Sequence, residues 1–205
     1  KIIESPQDLY MRVAITTQLS HSEMKTFDAK SLKKIKQAYD LLSNHYYTHA
    51  TPTMINSMTP CGQLASCFLV EHHSDSIEGM YAENLRKLAL ISKNSGGLGI
   101  SLDRIRSSGS IIKTVNGQSS GLKPYVKVLG MAMRHVNQGG KRPGSLAIYL
   151  SPMHPDSPEV LKMRRNEGSE SDRDTTLFYA VWANDVFMSR VKQSLQMKDD
   201  ESRKI

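Results

Sequence analysis

Two cysteines carry the most reactive side chains of this chain. Cys67 opens the apolar run Cys67-Phe68-Leu69-Val70, and Cys61 lies in a polar stretch. A thiol in an apolar run is commonly buried and inert, but it can also be a redox or acid–base group. Two cysteines cannot form a four-cysteine zinc site or a disulfide-stapled secreted scaffold. The residues alone leave both roles open for Cys67, and we take Cys61 as incidental.

Two glycine-rich segments could bring the backbone close to a ligand. In Gln138-Gly139-Gly140-Lys141-Arg142, two permissive backbone units stand beside two cations. Free backbone N–H groups and a guanidinium can hold a phosphate or the edge of a base, although a solvated helix-to-strand connection fits the pattern too. Gly96-Gly97-Leu98-Gly99 lacks the dinucleotide-binding G-x-G-x-x-G spacing and is typical of a helix C-cap.

Several other polar residues have ordinary structural interpretations. Asp75 precedes Glu78 by three residues, which is the spacing of a capping box and favours a helix N-cap. Ser66 could hydrogen-bond the neighbouring thiol or be a loop residue, and Thr51 and Ser119 are predicted loop hydroxyls. The seven histidines show no paired spacing on a predicted helix, so no metal site is predicted.

The elements that must position these residues alternate between helices and apolar strands. Ser5-Pro6-Gln7-Asp8 predicts a capped helix start, and Leu32, Ile35, Tyr39 and Leu42 are predicted on one helix face. The predicted helices cover residues 6–20, 31–43, 75–95, 122–136, 157–165 and 184–193. The predicted strands cover residues 67–70, 100–102, 146–150 and 176–182, with loops at 48–66, 107–121 and 138–145. This order predicts an α/β fold with largely parallel strands.

Composition narrows the class of protein. Lys plus Arg is 27 against 20 for Asp plus Glu, giving a net charge of +7 that suits an anionic partner. No dense basic run carries interleaved aromatics, so nucleic-acid binding is disfavoured. No apolar run reaches the roughly 18–20 residues that span a bilayer. Without signal-peptide features, we expect a cytoplasmic protein, and a first residue that is not Met suggests a piece of something longer.

Six segments, in order, resemble the large subunit of class I ribonucleotide reductases, and the resemblance covers roughly residues 5–192. The first segment combines Thr51-Pro52-Thr53 with residues 63–69 (QLASCFL). The others are residues 75–79 (DSIEG), 91–99 (ISKNSGGLG), 104–110 (RIRSSGS), 138–150 (QGGKRPGSLAIYL) and 174–182. The resemblance implies part of a ten-stranded α/β barrel. We expect a helical lead-in over 1–47, the first part of the barrel over 48–193 and a charged tail over 194–205.

The resemblance also implies a radical reaction on ribonucleoside diphosphates. A thiyl radical on another cysteine removes the 3′ hydrogen, and the 2′ hydroxyl leaves as water. Cys67 and a partner cysteine then supply the reducing equivalents and form a disulfide. Thr51, Ser66, Gly97 and Arg142 match substrate-contacting positions, with Thr51 at the diphosphate and Ser66 beside the sugar.

A second nucleotide site is implied for a specificity effector, a deoxynucleoside triphosphate or ATP. The matching positions are Asp75, Ser76, Lys93, Arg106, Ser119 and Gln138. Asp75 would accept from the ribose, and Lys93 and Arg106 would pair with phosphates. Segment 107–121 would cradle the effector. Segment 137–145 would lie between the effector and the substrate base and couple the two sites.

The radical cysteine, the partner redox cysteine and the C-terminal cysteine pair expected of this family are not in these 205 residues. We therefore expect the chain alone to be inactive and to need the remainder of the large subunit. The implied partners are a small metal-containing subunit that supplies the radical, a second large subunit, and thioredoxin or glutaredoxin as reductant. No cofactor is expected on this chain itself. The alternatives are a non-catalytic nucleotide-binding regulatory module, a cobalamin-dependent reductase of the same superfamily and a basic nucleic-acid-binding domain.

Overall fold

The computed structural model describes residues 4–20, 22–26, 28–94, 96–136 and 144–202, with side chains as far as residue 197. The chain divides into two compact units. The first unit comprises Lys1–Cys67 with Asn94–Gly96, and the second comprises Phe68–Lys93 with Gly97–Ile205. The domain boundaries predicted at residues 47 and 193 stay predictions.

The first unit is built from helices. Helix α1 spans Pro6–Gln18, and its cap is as predicted, because the Asp8 N–H donates to Ser5 Oγ and the Ser5 N–H donates back to Asp8 Oδ2. Helix α2 spans Ala29–Ser43 and is capped by the Asp28 side chain. The predicted apolar face of α2 is wrong at Leu32, which is 53% exposed, because the buried stripe of the helix consists of Ser31, Ile35, Ala38 and Leu42.

The predicted loop over residues 48–66 is wrong in its first part. Helix α3 spans Thr51–Asn56, and its six residues are too few to show a helical period in the sequence. Its side chains are tied to the following loop, since Thr53 Oγ1 donates to the Leu64 carbonyl at 2.9 Å and Asn56 Nδ2 donates to the Gln63 carbonyl at 2.8 Å. These bonds to the following loop therefore stabilise a helix that the intrinsic helix propensities of its own residues would not stabilise.

The second unit contains a four-stranded sheet. Its strands lie side by side in the order β1 (Cys67–Val70), β2 (Gly97–Ser101), β5 (Leu146–Leu150) and β6 (Phe178–Val181), and the pairs β2–β5 and β5–β6 are parallel. Leu98 lies opposite Leu146, and Ile148 lies opposite Tyr179. In the part of the chain that the structure describes, this sheet is open and not closed into a barrel, as expected for an incomplete α/β barrel.

Helices cover one face of the sheet and form the core of this unit. Helix α4 (Arg86–Lys93) follows a π-helical segment (Glu78–Leu85), and α5 spans Leu122–His135. Fully buried apolar residues join these helices to the strands: Leu88, Leu98, Ile100, Leu122, Leu129, Leu146 and Ile148. The second unit also contains the short helix α6 (Ser157–Lys162), a 3₁₀ turn at Glu170–Asp172 and the long helix α7 (Asp185–Ser202). The first unit contains a further 3₁₀ turn at Glu23–Lys25.

Two glycines predicted as a helix cap belong to a strand instead. The helix ends at Lys93, and β2 already begins at Gly97, three residues before its predicted start. A Cβ on Gly99 would lie 2.8 Å from Leu69 Cδ2 and 3.0 Å from Tyr149 Cε2. Gly99 is therefore needed because larger side chains from the two neighbouring strands meet above it.

The remaining predicted elements differ mainly at their ends. Helix α7 continues past its predicted end at Gln193, because good helix formers follow without Gly or Pro. The predicted loop 107–121 contains a hairpin of β3 (Ile111–Ile112) and β4 (Gly117–Gln118), with Asn116 at a positive φ of 49° in its turn. Within the described residues, no helix combines the length and apolarity that crossing a membrane requires.

Candidate functional site

A cavity of about 1070 Å³ lies beside the β3–β4 hairpin in the second unit. We call it the hairpin cavity. Its walls are residues 75–81, the segment 105–114, residues 118–121 and the first turn of α5. Asp75, Ser76, Arg106 and Ser119 all line it, so four of the six predicted effector residues come together. Its volume reaches the upper end of the range for small-molecule sites, about 300–1,000 Å³.

The other two predicted effector residues are not seen in this cavity. Lys93 stands at the C-terminal end of α4 and is not among the residues that line the cavity, so its phosphate contact stays a prediction. Gln138 lies outside the described residues, as do Arg142 and most of the predicted coupling loop.

An ion pair holds the two charged residues of the hairpin cavity. Arg106 Nε donates to Asp75 Oδ2 at 2.5 Å, and the Arg106 backbone N–H donates to the same oxygen at 3.2 Å. Arg106 Nη2 and Nη1 donate to the carbonyls of Asp75 and Ile111 over 3.3 and 3.4 Å. The predicted N-cap role of Asp75 is therefore wrong. The helix begins at Glu78 with no side-chain cap, because the Asp75 carboxylate pairs with a guanidinium 31 residues away.

The cavity has an aromatic floor that the sequence analysis did not identify. Tyr125 Oη donates to the Met80 carbonyl at 3.0 Å, and the rings of Tyr81 and Tyr125 meet edge to face at 5.8 Å. Burial, with a smaller contribution from Tyr81, raises the pKa of Tyr125, so the phenol stays neutral and donates its proton. Because Tyr125 is buried, the exposed ring of Tyr81 is the one that offers a surface on which a flat base can stack.

The hairpin supplies the opposite wall. The Ser119 N–H donates to the Ser110 carbonyl at 2.8 Å, and the Gly109 N–H donates to the Ser119 carbonyl at 2.9 Å. Ser119 Oγ accepts from the Gly121 N–H at 3.0 Å. Lys113 also lines the cavity. It is a second cation, which lies within the predicted effector-cradling segment 107–121 but was not itself predicted as a contact.

The candidate redox thiol lies at the start of β1. Cys67 is exposed, so the buried and inert interpretation of its apolar run is wrong. The strand alternates exposed and half-buried residues, with Cys67 and Leu69 on the exposed side. Ser66 Oγ lies 3.6 Å from Cys67 Sγ and donates to it. The thiol is therefore accessible and has a hydroxyl neighbour.

The predicted substrate-contacting residues are distributed over both units. Thr51 is the first residue of α3, and Ser66 immediately precedes β1, both in the first unit. Gly97 is buried at the start of β2 in the second unit. Their substrate contacts stay predictions.

A second cavity, of about 790 Å³, lies at the carboxyl ends of β1 and β2. We call it the sheet-end cavity. Leu69, Gly99, Tyr149 and Trp182 form its apolar part. Arg104 Nη2 pairs with Glu71 Oε1 at 2.8 Å, and Asp103 Oδ1 accepts from the Ser151 N–H at 2.6 Å. Among the described residues, no group of three His, Cys, Asp or Glu side chains is placed to hold a metal ion.

The open parallel sheet with helices on one face defines an α/β protein. Comparison with known proteins identifies the family to which it belongs. The family model described as the ribonucleotide reductase barrel domain matches residues 65–203, and the all-alpha domain of the same family matches residues 1–62. The chain therefore belongs to the ribonucleotide reductase family. The match reaches residue 203 and so extends beyond residue 192, where the resemblance was expected to end.

Curated relatives agree with this family. The chain is 45% identical over 195 residues to the ribonucleoside-diphosphate reductase large chain of Encephalitozoon cuniculi. It is 46% identical to the large subunit of Plasmodium falciparum and 44% identical to that of Arabidopsis thaliana. Each match covers 95% of this chain but only 23–24% of the relative. The chain thus spans about a quarter of the length of the curated relatives it matches.

Proposed function

We propose that this chain is part of the large subunit of a ribonucleoside-diphosphate reductase, which converts ribonucleoside diphosphates to deoxyribonucleoside diphosphates for DNA synthesis. The observation that carries this proposal is 43–46% identity, over about 95% of the chain, to proteins named as that large subunit. The exposure of Cys67 at the start of β1 supports it, because a thiol that reduces a substrate must be accessible.

In this proposal Cys67 is one of two thiols that provide the electrons. Two thiols become one disulfide, the ribose loses its 2′ hydroxyl, and that oxygen leaves as water. In the disulfide product, the sulfur of the second cysteine is bonded to Cys67 Sγ at about 2.05 Å. Cys61 is the only other cysteine of these 205 residues, and we assign the partner thiol to the remainder of the large subunit. Thr51, Ser66, Gly97 and Arg142 would hold the substrate.

The hairpin cavity is proposed to bind a deoxynucleoside triphosphate or ATP as effector. The bonds to Asp75 fall on Oδ2 among the described residues, which leaves Oδ1 as an acceptor for a ribose hydroxyl. The two Nη atoms of Arg106 make only long bonds to carbonyls. A phosphate would offer them shorter charge-assisted bonds. Ser76, Ser119, Lys93 and Gln138 would complete the site.

The partners follow from the same proposal. A separate small subunit with a metal centre would supply the radical, two large subunits would associate, and thioredoxin or glutaredoxin would reduce the disulfide. We propose that the assembly works in the cytoplasm.

The test is reconstitution of the complete enzyme. This chain, joined to or mixed with the residues that its relatives have beyond it, should reduce CDP when the small subunit, a dithiol reductant and an effector are present. A folded and complete assembly without CDP reduction would contradict the proposal. If such an assembly still binds deoxynucleoside triphosphates, the regulatory-module alternative is favoured, because the hairpin cavity is formed by this chain while the redox pair is not.

A further inference from the structure

Both ends of the segment that walls the hairpin cavity meet at one carboxylate. The Ser108 N–H donates to Asp156 Oδ1 and Oδ2, both at 3.1 Å, and the Leu122 N–H donates to Oδ2 at 2.9 Å. Asp156 belongs to the loop that follows β5, 34 residues beyond Leu122. A single side chain thus holds the beginning and the end of residues 108–122, between which the hairpin is formed.

The carboxylate also occupies a position that α5 leaves open. The N-cap of this 14-residue helix is Gly121, which has a φ of 72° and no side chain with which to cap the first turn. The free N–H groups and the helix dipole favour an anion there, and Asp156 supplies it. A Cβ on Gly121 would lie 2.7 Å from the Ser108 N and would also collide with Asp156 Oδ2. The glycine therefore permits the close approach of three segments.

A histidine in the same loop holds the backbone of Asp156 and so positions the residue that carries this carboxylate. The Asp156 N–H donates to His154 Nδ1 at 3.1 Å, so Nδ1 is the acceptor and His154 Nε2 carries the proton. That Nε2–H donates to the Ile105 carbonyl at 2.8 Å. Ile105 lines the cavity and precedes Arg106. The loop is therefore bonded to the arginine side of the cavity as well as to both ends of the hairpin segment.

We propose that Asp156, held by His154, is a positioning residue for nucleotide binding in the hairpin cavity. It sets the distance between the hairpin wall and the Asp75–Arg106 pair without touching the nucleotide. Because its carboxylate fills the N-terminus of α5, the phosphates of a nucleotide are directed to Arg106 and Lys113. This inference rests on the proposed effector function of the cavity.

The test uses the complete large subunit carrying Asp156→Asn. An amide offers a single oxygen acceptor, and its NH₂ group faces a backbone N–H, so one end of the segment is released. We expect the dissociation constant for the preferred deoxynucleoside triphosphate to rise about tenfold. The CDP reduction rate at saturating effector should stay within about twofold of that of the unsubstituted protein, because the substitution affects the hairpin cavity and not the redox cysteines. Amide hydrogen exchange at Ser108 or Leu122 should accelerate.

A matched control is Asp103→Asn. Asp103 also accepts from a backbone N–H, that of Ser151, but it lines the sheet-end cavity. This variant should bind the effector within about twofold of the unsubstituted protein. An equal loss of affinity in both variants would overturn the specific role of Asp156.

Two further outcomes separate this inference from the proposed function. If the unsubstituted protein binds no deoxynucleoside triphosphate, the effector function itself fails. If it binds and Asp156→Asn binds equally well although exchange at Ser108 or Leu122 has accelerated, the positioning role is wrong. Should Asp156→Asn not fold, His154→Ala keeps the carboxylate but removes the bond that holds the Asp156 backbone. We expect about a threefold weaker affinity from that variant, and an unchanged affinity would overturn the proposal.

Discussion

The two cavities of the second unit differ in how completely this chain forms them. The hairpin cavity is walled by residues between 75 and 125, and two of its charged groups, Asp75 and Arg106, are bonded to each other. The sheet-end cavity is walled by large apolar residues that face solvent, with Leu69 84% and Trp182 63% exposed. Under the proposed function, this difference means that most of the effector site is formed within this chain, whereas the reaction at the sheet needs further residues that cover it.

The largest expected effect separates redox chemistry from effector binding. In the reconstituted enzyme, Cys67→Ser should lower the rate of CDP reduction by at least about 10³-fold, because a hydroxyl cannot donate the electrons of a thiol. Equilibrium dialysis should show effector binding within about twofold. Cys61→Ser is the control and should keep its activity. Normal turnover by Cys67→Ser would remove the redox role of this residue.

The next effect compares two arginines, one in each cavity. Arg106→Ala should raise the dissociation constant for a deoxynucleoside triphosphate about 30- to 100-fold, which is about 2–3 kcal/mol. It removes a phosphate partner and leaves the Asp75 carboxylate uncompensated. Arg104→Ala, which loses an ion pair with Glu71 in the sheet-end cavity, should change the affinity less than twofold in calorimetric titrations. Equal losses would show that both cavities contribute to nucleotide binding.

A buried histidine joins the walls of the two cavities and makes stability depend on pH. His72 is only 1% exposed and lines the sheet-end cavity, and its ring meets Tyr125 of the hairpin cavity at 5.7 Å. Burial lowers the pKa of His72 to about 4. The unfolded chain takes up this proton near pH 6.5, so stability should be lost as the pH falls from about 6.5 to about 4.

The measurement is urea unfolding at two pH values. Between pH 7 and pH 5 the free energy of unfolding should fall by about 2 kcal/mol through this residue. His72→Gln should remove most of that decrease, while substitution of the exposed neighbour, His73→Gln, should retain it. If His72→Gln and His73→Gln show the same pH dependence, the buried imidazole is not its source.

The smallest effect tests whether the exposed sheet face is part of this chain's own core. Leu69→Ser should change the free energy of unfolding of the chain by less than about 0.5 kcal/mol, because its side chain already faces water. Leu88→Ala, at a fully buried position, should cost about 2–5 kcal/mol. A large loss from Leu69→Ser would mean that this face packs against something within the chain.

Some features of the candidate site could be predicted and others could not. Asp75, Ser76 and Arg106 belong to short segments that resemble the family, and Ser119 belongs to the segment predicted to cradle the effector. The structure brings all four to one cavity. The aromatic floor was not predicted, because Tyr125 lies within the predicted helix 122–136, where an aromatic residue equally suits the buried apolar face. An aromatic residue on a helix suits either a buried core position or a ligand contact, so the periodicity of the sequence cannot distinguish these two roles.

The sequence by itself determined the local elements, such as the capped start of α1 at Ser5 and the apolar strand Leu146–Leu150. These depend on residues close together in the chain, whose periodicity and caps act locally. Only the tertiary structure decided the partners of Asp75 and Asp156. Asp75 lies 31 residues from Arg106, and Asp156 lies 34 and 48 residues from Leu122 and Ser108. The physical reason is that a carboxylate satisfies a nearby helix cap or a distant donor equally well, and the packing of the whole unit determines which donor it meets.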